Sequence, residues 1–459
     1  MIVFQTSLVI LVLYSLIPFT VGSQMFAARI GGLPFTYLPF VMLFGAQFAY
    51  ILLTRVLAGQ RILLPKPLVV LTVFVLYLIA EIPFLKNLHP MVSVGAHMQE
   101  VIMFSFYIFA VFYGTVLTLY DKTLEQIDEM ILTWLRWLCI IALISVVRYA
   151  LVDRGQAIFF NLFNPLRYRL FEVLFLCIFF PLAACLTVDS RPRLTPFFLL
   201  FTALILTGSR TGYVAGIILI MFLLSDVLKN KKKFSKKVEV IVIVCLLCSI
   251  IVAGAAPIVK NRFEKMNRLT TASKLDFNES LEEQSDVKRV GLFLGSLKMF
   301  TQSPILGFGL GKDNFIYYFP NEYGKYIHIA KPHNLYVYLL ATTGFIGFTL
   351  FILFLLLILL KGLKLVRNSA DSSSVRKRVK YLCLALFIVF VTMMTEEYET
   401  SPLFWMLLGV VYAYFEAGTK VCFQALEGVK GTQAISLRHY PASGGVFRLT
   451  RERLWVRLF

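Results

Sequence analysis

Residues 333–361 read HNLYVYLLATTGFIGFTLFILFLLLILLK, and no acidic or basic side chain interrupts the run from Leu335 to Leu360. At about 1.5 Å of rise per residue, ~20 apolar residues cross the ~30 Å hydrocarbon core of a bilayer. This run is therefore long enough to be a transmembrane helix. Similar runs recur along all 459 residues. Charged residues make up 15% of the chain, against about 25% in a soluble protein. With 58% hydrophobic residues and a mean hydropathy of +0.77, the composition predicts an all-α polytopic integral membrane protein.

Apolar length predicts about twelve spans, at 4–22, 33–54, 68–85, 101–119, 134–152, 170–187, 194–208, 211–228, 238–256, 335–360, 380–396 and 402–417. The connecting segments 55–67, 190–193, 229–237 and 361–380 are basic and fall on one side when the spans alternate. The positive-inside bias makes that side, and both termini, cytoplasmic. The acidic loop 120–132 carries little weight in that rule. Four regions follow: a nine-span membrane region at 1–256, a large folded loop with amphipathic helices on the outer face at 257–334, a three-span region at 335–417, and a basic cytoplasmic tail at 418–459. The tail's arginines and aromatics suit a segment lying on anionic lipid. A 78-residue loop is too long for a simple connector.

The formal net charge of +19 invites a nucleic-acid reading. The excess lies mostly in short loops between spans, where it encodes topology, so no nucleic-acid partner is predicted. Six of the seven cysteines lie in apolar segments, and the CxxC of Cys245 and Cys248 has no second ligand pair. They read as small buried hydrophobes rather than a metal or redox centre. The first 22 residues lack a basic leader region and read as a retained first span.

Positive charge on the translocated side needs a reason. Arg148, Arg154, Arg167 and Arg169 fall there, either snorkelling at the interface or forming an electropositive rim for an anionic ligand. In LTGSRTGYVAG (206–216) two spans meet with almost no loop, and Ser209 and Arg210 open the second. A helix start with free N–H groups and an arginine suits a phosphate; a tight turn with a snorkelling arginine is the plainer reading. In the large loop, Val290, Phe293, Leu294 and Leu297 have the i, i+3, i+4, i+7 spacing of an amphipathic helix that starts near Lys288 and Arg289 and stops at Pro304. GFGLG (307–311) lacks the strand and the hydroxyl residue of a nucleotide loop, and reads as a flexible turn that brings backbone close to something. His333 is one of five histidines and stands at a span mouth. It is either a capping or interfacial residue, or a neutral imidazole that takes a proton from a hydroxyl, with Asn334 fixing its ring. No ligand cluster for a metal, and no cofactor site, is evident.

In order and spacing, GSRTG, then KRVGLFLGSLKMFTQSPILGFGLGKDNF, then HNLYVYLLATTGFIGF resemble the bacterial O-antigen ligase and O-antigen polymerase family over roughly residues 195–360. The resemblance implies a membrane glycosyltransferase in the bacterial cytoplasmic (inner) membrane, with its active site on the periplasmic face. It implies a donor glycan on undecaprenyl pyrophosphate, and lipid A–core or a growing polysaccharide as acceptor. Arg210 and Arg289 would bind the donor pyrophosphate, and His333 would activate the acceptor hydroxyl, with inversion and without a metal. The acidic Glu396, Glu397 and Glu399 depart from the family pattern; they either hold a cation or pair with the arginine rim, and pairing is the preferred reading. A lipid-linked oligosaccharide flippase is the rival class, and it would not need a folded outer loop ending in a histidine.

Overall fold

The computed structural model describes residues 65–119, 124–148, 194–206, 210–229, 283–326, 332, 334–369, 374–394 and 402–437, with isolated positions between 29 and 59 and at 246. Apart from a two-residue antiparallel pair, β1 (Arg29–Ile30) with β2 (Leu33–Pro34), regular structure in these stretches is helical. In chain order the helices are α1 (Lys66–Ala80), α2 (Ile82–Leu88), α3 (Val94–Leu119), α4 (Leu124–Arg148), α5 (Leu194–Leu206), α6 (Arg210–Lys229), α7 (Glu283–Gln302), α8 (Lys312–Tyr318), α9 (Leu335–Asn368), α10 (Ser374–Thr392) and α11 (Pro402–Leu437). A short 3-10 helix, Asn321–Tyr326, lies between α8 and α9.

Among the described residues two helices are long and apolar enough to cross a membrane, in α3 and α9, or three if α1 and α2 form one bent span. The other predicted spans do not meet that test within the described residues or lie outside them. Where helices are described, several outrun their predicted spans. The expected loop 120–132 is helical from Leu124, and most of the expected loop 361–380 belongs to the ends of α9 and α10. The tail expected from 418 is helical as far as Leu437. The reason is common to all three. Lys, Glu and Leu are good helix formers, so a charge ends the apolar layer without ending the helix. Ion pairs then join the projecting ends: Lys361 Nζ with Glu416 Oε1 at 2.8 Å, and Arg378 with Asp128.

The core is centred on Trp405 of α11, which is fully buried. Its indole stacks on Tyr107 of α3 (4.9 Å between centroids, 8° between planes) and meets Phe104, Phe351 and Phe354 at 5.9–6.2 Å. One turn further along, Gly114 and Gly409 let the α3 and α11 backbones touch, for a Cβ on either would strike main chain of the other helix. Close approach over small residues is how helices gain dispersion contact where lipid supplies no hydrophobic drive. The opposite faces carry exposed apolar stripes, Leu353, Leu356, Leu360 and Leu363 on α9 and Val69, Val73 and Leu76 on α1.

Away from the basic end, two helices are broken. Between α1 and α2 the axis turns by 41° at Glu81, because Pro83 has no N–H with which to continue the ladder. Inside α9, Gly344 takes φ 62° and ψ −167°. That break frees backbone groups on both sides, and residues 304–309 pair with them. Phe308 N–H donates to Ala341 O (3.2 Å) and Gly309 N–H to Thr342 O (2.8 Å); Phe345 N–H donates to Pro304 O (2.8 Å) and Ile346 N–H to Ile305 O (3.5 Å). The glycine stretch does bring backbone close, as predicted, but it is tied down rather than loose.

Helix α7 packs on α9 through a face other than the one its apolar spacing predicts. The buried side is Gly291, Leu292, Gly295, Ser296 and Met299, whereas Val290, Phe293 and Leu294 point away from the protein. Gly295 fits under the Phe319 ring, and only small residues admit the approach.

The break at Gly344 gives a first prediction. In Gly344→Ala the Cβ would collide with the Ile305 carbonyl at a left-handed residue, costing at least ~1–3 kcal/mol. Gly95→Ala, which meets only Ser93 Oγ at 4.0 Å, should unfold near the wild-type temperature in detergent while Gly344→Ala unfolds well below it. Equal melting temperatures would contradict the pairing.

Candidate active site

Local chemistry fixes the start of α9. Asn334 is its N-cap, with extended backbone (φ −151°, ψ 102°), and its Oδ1 accepts from Val337 N–H at 3.1 Å. This satisfies one of the free donors of the first turn. Pro332 just before it is buried. Leu335 N–H donates to Met393 O at 3.1 Å, and the Tyr336 hydroxyl to Phe390 O at 2.7 Å. The first turn of α9 is thereby pinned to the last turn of α10. Asn334 Oδ1 thus serves the cap, while its NH₂ donors are not used in it.

Of the other residues singled out in the sequence, Arg210 is the first residue of α6, which confirms that GSRTG opens a helix. Leu206 is the last residue of α5, and Gly212 of α6 lies against Leu204 of α5. Arg289 is half-buried on α7. Arg148 is the last residue of α4; its side chain and that of Arg210 lie outside the described residues, as do His333, Arg154, Arg167, Arg169, Glu396, Glu397 and Glu399. Among the described residues no group of three or more His, Cys, Asp or Glu side chains is gathered to hold a metal.

A polar cluster beside this helix start was not legible in the sequence. His97 of α3 is fully buried between α1 and the glycine loop. Its Nδ1 accepts from Leu310 N–H at 2.9 Å, so the ring proton sits on Nε2, which faces Leu78 O at 2.8 Å. Glu81, at the α1–α2 break, has Oε1 at 3.6 Å from the same nitrogen, and neither of its buried oxygens has a hydrogen-bond partner among the described residues. The sequence shows Glu81 only as a charge within a span; the structure puts it at a break. Asn314 donates from Nδ2 to Leu310 O (2.8 Å) and Ser93 O (3.1 Å), and accepts from Ser93 N–H at 2.6 Å. Tyr338 Oη accepts from Gly311 N–H at 3.3 Å. Three side chains thus clamp the loop that repairs the break in α9. Nearby, His89 lies at hydrogen-bonding distance from Ser303 (3.2 Å), and its ring packs 4.5 Å from that of Phe308.

Against this geometry the family comparison is informative. Residues 195–352 match the model of the O-antigen ligase family, a stretch that runs from α5 into α9 and holds Arg210, Arg289, His333 and Asn334. The chain carries an O-antigen ligase domain. Such O-antigen ligases and polymerases are membrane glycosyltransferase-like enzymes of lipid-linked glycans, and with its apolar helices this chain is an integral membrane protein. No curated protein matches it. The O-antigen ligase domain leaves α1–α4 outside, and with them Glu81, His97, His89 and Arg148.

His89 supplies a second prediction. Burial lowers its pKa below the usual 6.5, so the folded state favours the neutral ring. The stability from that ring is fully present above about pH 6.5 and is lost as pH falls through the lowered folded value. Melting curves from pH 7.5 to 5 should therefore fall more steeply for the wild type than for His89→Gln, which does not titrate. Parallel curves would show that His89 is not coupled to folding.

Proposed function

We propose that this chain moves a glycan from undecaprenyl pyrophosphate to an acceptor hydroxyl on the periplasmic face of the bacterial inner membrane. Lipid A–core is the acceptor that we favour. The observation that carries this reading is that the O-antigen ligase match spans Arg210, Arg289 and His333 together. Helix register adds support. Helices α6 and α10 touch at Phe222 and Tyr381, 5.6 Å apart. Arg210 is twelve positions before Phe222, and Met393 twelve after Tyr381. In the predicted topology these two spans run in opposite directions, and equal rise then brings those two positions to one level. Met393 O holds Leu335 N–H, two residues beyond His333.

In this reading a neutral His333 takes the acceptor proton as the hydroxyl oxygen attacks the anomeric carbon. The bond from that carbon to the pyrophosphate oxygen breaks, and its electron pair leaves with undecaprenyl pyrophosphate. Arg210 and Arg289 hold the charge that develops there, through paired N–H donors and without a metal. Attack opposite the leaving group inverts the centre. Arg148, Arg154, Arg167 and Arg169 would form an anion-attracting rim, with the three glutamates at 396–399 as counter-ions. A polysaccharide polymerase uses the same donor chemistry and differs in taking a growing glycan as acceptor. A flippase would translocate the donor without transfer.

Purified protein in lipid nanodiscs, given a lipid-linked donor and either acceptor, tests this. His333→Ala should lower turnover by about 10²–10⁴-fold while donor binding persists. His333→Gln, which cannot take the proton, should be nearly as inactive. Arg210→Lys should also be impaired, because an ammonium cannot present the bidentate fork. Near-normal turnover by His333→Gln would reduce the histidine to a positioning residue, and donor translocation without transfer would favour the flippase.

A further inference from the structure

Helix α7 has two unlike sides. One, built from Gly291, Leu292, Gly295, Ser296 and Met299, is buried against the protein. On the other, Val290, Phe293 and Leu294 are 59%, 37% and 43% exposed, with half-buried Leu297 continuing the line. By helical periodicity Arg289 and Lys298 flank this stripe, about a quarter-turn to either side. An apolar stripe between basic flanks is the pattern of a helix lying in a membrane interface.

Its height in the structure identifies what it faces. In α9 the first charge after Leu335 is Lys361. With Lys361 at one edge of the hydrocarbon layer, ~30 Å or about 20 residues back puts the other edge near residue 341. Phe345 and Ile346 lie just inside that edge, 60% and 40% exposed, and Ile346 N–H bonds to the carbonyl of Ile305. Ile305 is 63% exposed and comes three residues after the end of α7. Ile305 therefore carries an apolar surface at bilayer depth up to the end of α7, beyond the exposed Thr301 and Gln302.

We propose that α7 is seated in the bilayer at the end away from Lys361–Arg367, with Val290, Phe293 and Leu294 among the phospholipid acyl chains and Arg289 and Lys298 at headgroup level. The inference stands whether or not Arg289 binds a donor diphosphate.

The test uses full-length protein in phosphatidylethanolamine/phosphatidylglycerol vesicles, in a cysteine-free background that melts like the wild type. Single substitutions Val290→Cys, Leu294→Cys and Phe345→Cys are labelled with a nitroxide. Power-saturation measurements then compare collisions with oxygen, which partitions into lipid, and with a neutral nickel chelate, which stays in water. Oxygen should dominate at all three sites. The proposal is overturned if the nickel chelate dominates at 290 and 294, meaning that the stripe faces water. It is equally overturned if both relaxers are excluded there, meaning that a second copy or another segment of the chain covers it. A Phe345 label in water would remove the depth argument itself.

Discussion

Four backbone hydrogen bonds between residues 304–309 and the interruption of α9 at Gly344 hold the non-basic end of the bundle together. A helix broken at membrane depth leaves N–H and C=O groups without water to take them, and each costs several kcal/mol if left bare. Here the groups released by one left-handed glycine are taken up by another stretch of main chain. The loop and the helix break are therefore a single element, and neither is stable in this form alone. The sequence consequences are specific. Position 344 must be glycine, Gly307 must have no side chain where it meets the α9 backbone, and the loop must be fastened from outside.

That fastening comes from α3, α8 and α9, through His97, Asn314 and Tyr338. It explains why a histidine and an asparagine are buried in so apolar a protein. Each takes up backbone groups of a loop that cannot continue as regular helix, since Gly307, Gly309 and Gly311 all hold positive φ. The family match begins only at residue 195, yet part of this scaffold comes from the first hundred residues. The shape of the start of α9 thus depends on chain outside the matched stretch.

How much of this was legible in the sequence follows from the range of each interaction. Apolar length marked the helices, because the bilayer signal is local and additive, and the Ser-Arg hairpin marked the start of α6 for the same reason. Helix ends were misplaced wherever charge was taken to stop a helix, as at 120–132, 361–380 and 418–437. Spacing located the apolar stripe of α7 without saying what it faces, and the structure turns the small residues of the other side inward. His97 and Asn314 escaped notice because their partners lie 213 and 221 positions away. Of the proposed catalytic group, Arg210 and Asn334 are seen at helix starts, and the reading of His333 still rests on sequence and family.

The clamp at His97 also limits what that ring can do. With Nδ1 accepting from Leu310 and its single proton turned to Leu78 on Nε2, the imidazole has no lone pair left to offer. It cannot accept a proton from a substrate or be acylated by an imidazole-directed reagent unless the loop first lets go. Histidine modification in the folded protein would therefore report on other rings, and any slow reaction at residue 97 would measure how often the loop opens.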